Sequence, residues 1–234
     1  MKGKNVLAGL LICTLCAGFV GCGKTEEPQA QEPAVEETTE ATTDSGSEAD
    51  ATEVEASSEA LPAYEYPGPE YFYTVVYSYI VDEFGSQYSE GQVCIPSVHE
   101  VYLDDSDKSD IKFYGDFWVY NYNLEGDTLM TQSGGNHPGV MHLKSTDAEY
   151  EVTGFDAVAD GNDFEPTAKE YFGKHYDDFM KVYSDSDTRE KVRAQIIANY
   201  VAANNLSITK YQDYGWDPVE LPEENIDSFY SQLD

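Results

Sequence analysis

The sequence is short of positive charge, of histidine and of cysteine. Against 45 Asp and Glu stand 13 Lys and Arg, a formal net charge of −32 over 234 residues. A protein that binds nucleic acid by neutralising phosphates needs a basic face, which this composition cannot supply. The same shortage excludes a polybasic membrane-surface protein. Of the four cysteines, Cys13 and Cys16 fall in an apolar leader, leaving Cys22 and Cys94. That leaves neither an intrachain disulfide nor a cysteine metal cluster to be expected. Cys94, between Val93 and Ile95, reads as a small buried hydrophobe.

Long apolar runs are also missing. The longest, Val6 to Phe19, follows Lys2 and Lys4. At 1.5 Å per residue it reaches about 21 Å, short of the ~30 Å hydrocarbon core, so it reads as the apolar region of a signal peptide over 1–21. It ends in Phe19-Val20-Gly21-Cys22, which resembles the lipobox of bacterial lipoproteins, with Phe19 where that family prefers Leu. The resemblance implies that the Cys22 thiol receives diacylglycerol. Cleavage would then make Cys22 the new N-terminus, with the lipid bilayer as its partner on the extracytoplasmic face of the cell membrane.

Gly18 to Thr25 also spells the phosphate-loop pattern of nucleotide-binding proteins. That chemistry needs a strand before the glycines and a helix after them, whose first amides hold the phosphates. Here Glu26-Glu27-Pro28 follows, acidic and proline-broken. No nucleotide site is expected.

Residues 25–60 hold 12 acids, no base, two prolines and no aromatic residue. Too little apolar surface is present to offset chain entropy, so 22–60 reads as an acidic, disordered tether. Composition changes at Leu61. Residues 61–234 carry all 19 Tyr, both Trp, 33 acids and 10 bases, enough chain for one α+β domain.

Within that domain the apolar spacing of Tyr71, Phe72, Val75, Val76, Tyr79, Ile80 and Phe84 predicts a helix over 69–84, with a strand as the alternative. Strands are predicted at Val93–Leu103, with Pro96 marking an edge or bulge, and at Ile111–Leu124 before a turn at Glu125-Gly126-Asp127. Further strands are expected at Leu129–Ser133, Val140–Lys144 and Tyr150–Val158. Two helices should follow: one carries Ala168, Phe172, Phe179 and Tyr183, and a second starts at Asp187 with Glu190 as a capping-box acid. The predicted architecture is a curved antiparallel sheet of four to six strands, with an N-terminal helix and two C-terminal helices against one face.

The stretch Glu149 to Asp156, then Asp160-Gly161, then Lys169-Glu170-Tyr171-Phe172-Gly173, is similar to the sheet-to-helix ending of uncharacterised NTF2-like extracytoplasmic domains of Gram-positive bacteria. It covers about 25 residues and holds no catalytic motif. The resemblance implies a cone-shaped fold and says nothing of activity.

Candidate chemistry lies in two places. Gly134-Gly135-Asn136-His137-Pro138-Gly139-Val140-Met141-His142 reads either as a rigid loop presenting His137 at a pocket mouth or as a hairpin connection with His142 as a cross-strand partner. Five residues apart, the two histidines point to opposite faces of a straight strand and would not share a metal. Tyr211, Tyr214 and Trp216 can stack on a sugar ring or grip a peptide; the alternative is a segment strapped across the core. His99 and His175 read as packing residues. The acids Asp104, Asp105, Asp107 and Asp110 lack a calcium-loop register, because Asp110 falls where glycine is required. No catalytic residue, metal or cofactor is therefore assigned.

The functional expectation is a binding domain for a small molecule, a glycan or an envelope protein. The alternatives are a hydrolase using His137 with nearby carboxylates, and a structural or assembly protein. A binding module predicts an aromatic-lined concavity, and a hydrolase predicts His137 within hydrogen-bond reach of a buried acid. A structural protein predicts an exposed apolar patch.

Overall fold

The computed structural model describes residues 60–146 and 149–229; Cys22, the 1–21 leader and all of the 22–60 tether except Ala60 lie outside them. Helix α1 (Tyr71–Tyr79) runs on through a π-turn at Ile80–Phe84 and a 3₁₀ turn at Gly85–Gln87. A four-stranded antiparallel meander follows: β1 (Val93–Asp104), β2 (Ile111–Glu125), β3 (Thr128–Ser145) and β4 (Tyr150–Ala157). Helices α2 (Phe164–Phe172), α3 (Tyr176–Ser184) and α4 (Ser186–Ala203) come next. The short strands β5 (Lys210–Gln212) and β6 (Val219–Glu220) and the helical turn α5 (Ile226–Phe229) close the described chain. The class is α+β, with a strongly curled half-barrel sheet.

The sheet departs from a plain meander at β3. Its last half pairs with β4, from Gly139 opposite Ala157 to Ser145 opposite Tyr150. Its first three residues pair in parallel with β5, and β6 pairs antiparallel with β5. The parallel pairing brings the chain after α4 back beside Leu129, a contact that no local pattern announces. Register shifts at Glu100/Tyr102, Asn121/Tyr122 and His142/Leu143 mark bulges, which bend long strands and help the sheet to curl.

Two expectations need correction here. The predicted strands 129–133 and 140–144 are one continuous strand, β3, that runs through the glycine-rich segment. The glycines serve close approach instead of a turn: a Cβ at Gly135 would collide with the Tyr88 hydroxyl, and one at Gly139 with the Asp156 carbonyl. The predicted single helix 168–183 is two helices. Gly173, at φ +51°, breaks it where a side chain would be strained. The last long helix also starts earlier than expected. Asp185 caps it, accepting from the Thr188 amide at 3.0 Å, and Glu190 is released for another role.

Helices cover both faces of the sheet, not one. Phe113 packs against Phe72 and Tyr73 of α1, while the adjacent Tyr114 packs against Phe172 and His175 on the α2–α3 side. Leu61, Tyr64 and Tyr66 are buried on the same core, where Tyr64 lies between Tyr77 of α1 and Tyr200 of α4. The Tyr200 hydroxyl donates to the Pro62 carbonyl at 2.7 Å. These contacts set α4 in place beside β1 and β5.

A groove between helix 4 and the returning strands

Helix α4 carries a base on its buried stripe: Arg193 precedes Ile196, Ile197 and Tyr200, all buried. Such a charge must find partners, and Arg193, 2% exposed, finds one for each N–H. Nε donates to the Tyr122 hydroxyl at 2.8 Å, and Nη2 donates to Thr131 Oγ1 at 2.8 Å and Asp213 Oδ1 at 2.7 Å. Nη1 donates to Asp213 Oδ2 at 2.9 Å and to Glu190 Oε2 at 3.4 Å. The guanidinium also lies over the Tyr120 and Tyr211 rings, 3.8 and 4.4 Å from their centroids. Its hydrogen bonds hold Asp213 below the usual carboxylate range.

Three members of this cluster, Glu190, Tyr211 and Asp213, line an open groove of about 1040 Å³. Its inner wall is α4, through Ser186, Glu190, Lys191, Ala194 and Gln195. Its outer wall is the segment after β5, through Asp213, Trp216, Asp217, Val219, Glu220 and Leu221. Tyr211 is fully buried beneath it, its hydroxyl donating to Glu190 Oε2 at 3.0 Å. Trp216 is 76% exposed and Tyr214 is 94% exposed.

The three aromatic candidates therefore divide. Tyr211 is a core residue that supports the groove, Trp216 lines it, and Tyr214 stands in solvent outside the lining. The two histidines lie on opposite faces of β3. His137 stacks on Phe84 at 4.2 Å, and its Nε2 is 3.1 Å from the Tyr88 hydroxyl. Burial pushes its pKa down, with Asp160 pulling the other way. His137 thus packs with the turn after α1, and its hydrogen bond goes to a tyrosine. His142 ties two elements together: Nδ1 is 2.7 Å from Asp110 and Nε2 is 3.1 Å from Asp156. Neither histidine reaches the groove.

One polar cluster escaped the sequence reading. Ser97, His99 and Asp116 are all buried, with His99 and Asp116 facing each other across the β1–β2 pair. Ser97 Oγ lies 3.0 Å from His99 Nε2, whereas Asp116 accepts from Trp118 Nε1 at 2.8 Å and Asn136 Nδ2 at 3.2 Å. The three do not form a serine–histidine–acid relay, because Asp116 is bonded to Trp118 and Asn136 and no hydrogen bond among the described residues joins it to His99. Burial lowers His99 to about 4, helped by Arg189, and raises Asp116. Ser97-x-His99 on one face of a strand was the available signal; for Arg193 it was a base at helical spacing from Ile196, Ile197 and Tyr200.

The acids of the 104–110 turn are engaged locally. Asp104 accepts from Ser106, Asp107 accepts from Ser109, and Asp105 pairs with Lys108 at 2.6 Å. Among the described residues no group of His, Cys, Asp and Glu is placed to hold a metal ion, and no helix is long and apolar enough to cross a membrane. Comparison of the chain with protein-family models, with curated proteins and with solved structures finds no match.

Proposed function

We propose that this protein is a lipid-anchored, extracytoplasmic binding module, held to the membrane by acylated Cys22 and engaging its ligand through the groove at Trp216. The anchoring half of the reading rests on the leader and the lipobox-like Phe19-Val20-Gly21-Cys22. Two or more acyl chains make such anchoring stable where one is marginal.

The observation that carries the binding half is the exposed Trp216 on the wall of a large groove, where Asp213 of the same wall is fixed by Arg193. A ligand that stacks on such a ring does not have to order the wall first, so less of its binding energy is lost to entropy. A non-enzymatic role is the reading we favour, because the groove's lining holds no histidine or cysteine, and two of its carboxylates, Glu190 and Asp213, are engaged by Arg193.

Two experiments test the proposal. Cys22→Ala should move the protein from the membrane to the soluble fraction; continued membrane association would defeat the anchoring. A thermal-shift screen of sugars, muropeptides, amino acids and peptides should find one class that raises Tm saturably in the native chain but not in Trp216→Ala. A stabilising ligand indifferent to that substitution would place the site elsewhere.

A further inference from the structure

The groove's two walls differ in charge. The outer wall brings three acids to the lining (Asp213, Asp217 and Glu220) and no base, whereas the α4 wall carries Glu190 and Lys191. Asp213 is committed to Arg193, and Glu220 lies 3.6 Å from Lys210. Asp217 has neither an ion pair nor a hydrogen bond among the described residues, and it stands next to Trp216. An unpaired carboxylate beside an exposed indole face suits a cation carried on an apolar stem, which gains from both the charge and the ring. Ala194, Val219, Leu221 and Pro222 supply the apolar surface for that stem.

The shape of the groove adds a second constraint. Its lining on α4 runs from Ser186 to Gln195, about 14 Å at 1.5 Å per residue. That is the length of about four residues of extended chain at 3.3 Å each. An open volume of about 1040 Å³ exceeds what a single amine or sugar ring fills.

Charge also eliminates the nearest alternative occupants. The chain's own 25–60 segment carries 12 acids and no base, so it is repelled from an acidic wall. A second copy, at −32, is repelled as a whole. The excess of acids in the lining favours a basic occupant supplied in trans. Resting on the binding reading above, we propose that the groove takes an extended peptide segment of a partner protein that bears Lys or Arg, with one basic side chain lying over Trp216 toward Asp217.

The test uses the full-length chain in detergent and fluorescently labelled pentapeptides of alternating Lys and Leu, with Glu–Leu and Ser–Leu peptides as controls. Polarisation should rise saturably with the Lys peptide alone and fall off with salt. Asp217→Asn with Glu220→Gln should weaken binding at least tenfold, as should Trp216→Ala, each variant melting as the parent does. Asp105→Asn with Asp107→Asn removes the same charge from the β1–β2 turn and should change affinity less than twofold. Equal weakening by both charge pairs would overturn the proposal, because the attraction would then be diffuse. If a neutral oligosaccharide binds in a Trp216-dependent way and the Lys peptide does not, the cationic-peptide inference falls while the binding module stands. If no ligand depends on Trp216, both fall.

Discussion

Arg193 and Asp213 meet in a two-pronged ion pair, with N–O distances of 2.9 and 2.7 Å, that joins helix α4 to the strand-return segment, where Asp213 lines the groove. The arginine is buried and the aspartate is not. Removing the aspartate would therefore strand a buried cation short of two of its hydrogen bonds. Asp213→Ala should cost about 2–4 kcal/mol in chemical denaturation, below the range for a fully buried pair because water can reach the vacated side. It should also abolish ligand stabilisation that depends on Trp216. A loss under about 0.5 kcal/mol would show that the pair behaves as an ordinary surface contact.

His99 gives the fold a defined acid sensitivity. Its folded-state pKa, about 4, lies below its ordinary value of 6.5. Between those values the unfolded chain binds the extra proton, so stability falls as pH falls from 6.5 to 4. The full cost is about 3 kcal/mol. Asp116, which faces His99, is raised and works in the opposite direction, because the folded state holds its proton more tightly. Arg189, near both, stays charged throughout. The contrast with His99→Gln isolates the histidine: the variant's stability relative to the parent should rise by up to about 3 kcal/mol between pH 7 and pH 4. Parallel stability–pH curves would show that His99 titrates normally.

Much of this architecture could be read from the residues, and the failures have physical causes. Helix α1, the edge strand β1 with Pro96, the turn at Gly126 and strand β4 follow from periodicity and turn chemistry, which are local. The return of β5 beside Leu129 is non-local, and Lys210-Tyr211-Gln212 is too short to show a pattern. The segment from Gly134 to Gly139 looked like a loop because glycine usually marks turns; here its missing side chain makes room for Tyr88 and the β4 backbone. Of the aromatic run from Tyr211 to Trp216, Tyr211 and Trp216 border the groove and Tyr214 does not. Sequence could not say that Tyr211 would be buried and Trp216 exposed, since that depends on where Arg193 lies.

The thiol of Cys94 should be inert in the folded protein. Burial first, and Asp82 second, push it up to about 12, so almost no thiolate exists at neutral pH. Iodoacetamide at pH 8 should leave the Cys94 peptide unlabelled in native protein and label it fully in denaturant. The same packing leaves no room at Gly85, where an added Cβ would lie 2.6 Å from Cys94 Sγ. Gly85→Ala should destabilise by about 1–3 kcal/mol, and Cys94→Ala should recover part of that loss in the double variant. Additive losses would mean that the clash is relieved by backbone movement instead.

The continuity of β3 can be tested with two glycines that face each other's strands. Gly139 sits opposite Ala157, and a Cβ there would meet the Asp156 carbonyl and the Phe155 ring. Neither neighbour is the free end of a flexible chain, so Gly139→Ala must push β4 away and should cost about 1–3 kcal/mol. Gly154, on β4 opposite His142, has open space around its Cβ position and no left-handed backbone to be strained. Gly154→Ala restricts the unfolded chain without disturbing the folded one, and should be neutral or stabilising by up to about 1 kcal/mol. Were the 134–139 segment a solvent loop, Gly139→Ala would be as mild as Gly154→Ala, and equal melting temperatures for the two variants would refute the continuous strand. The opposite signs expected here come from strand pairing alone, because both residues are glycines in extended chain within the same pair of strands.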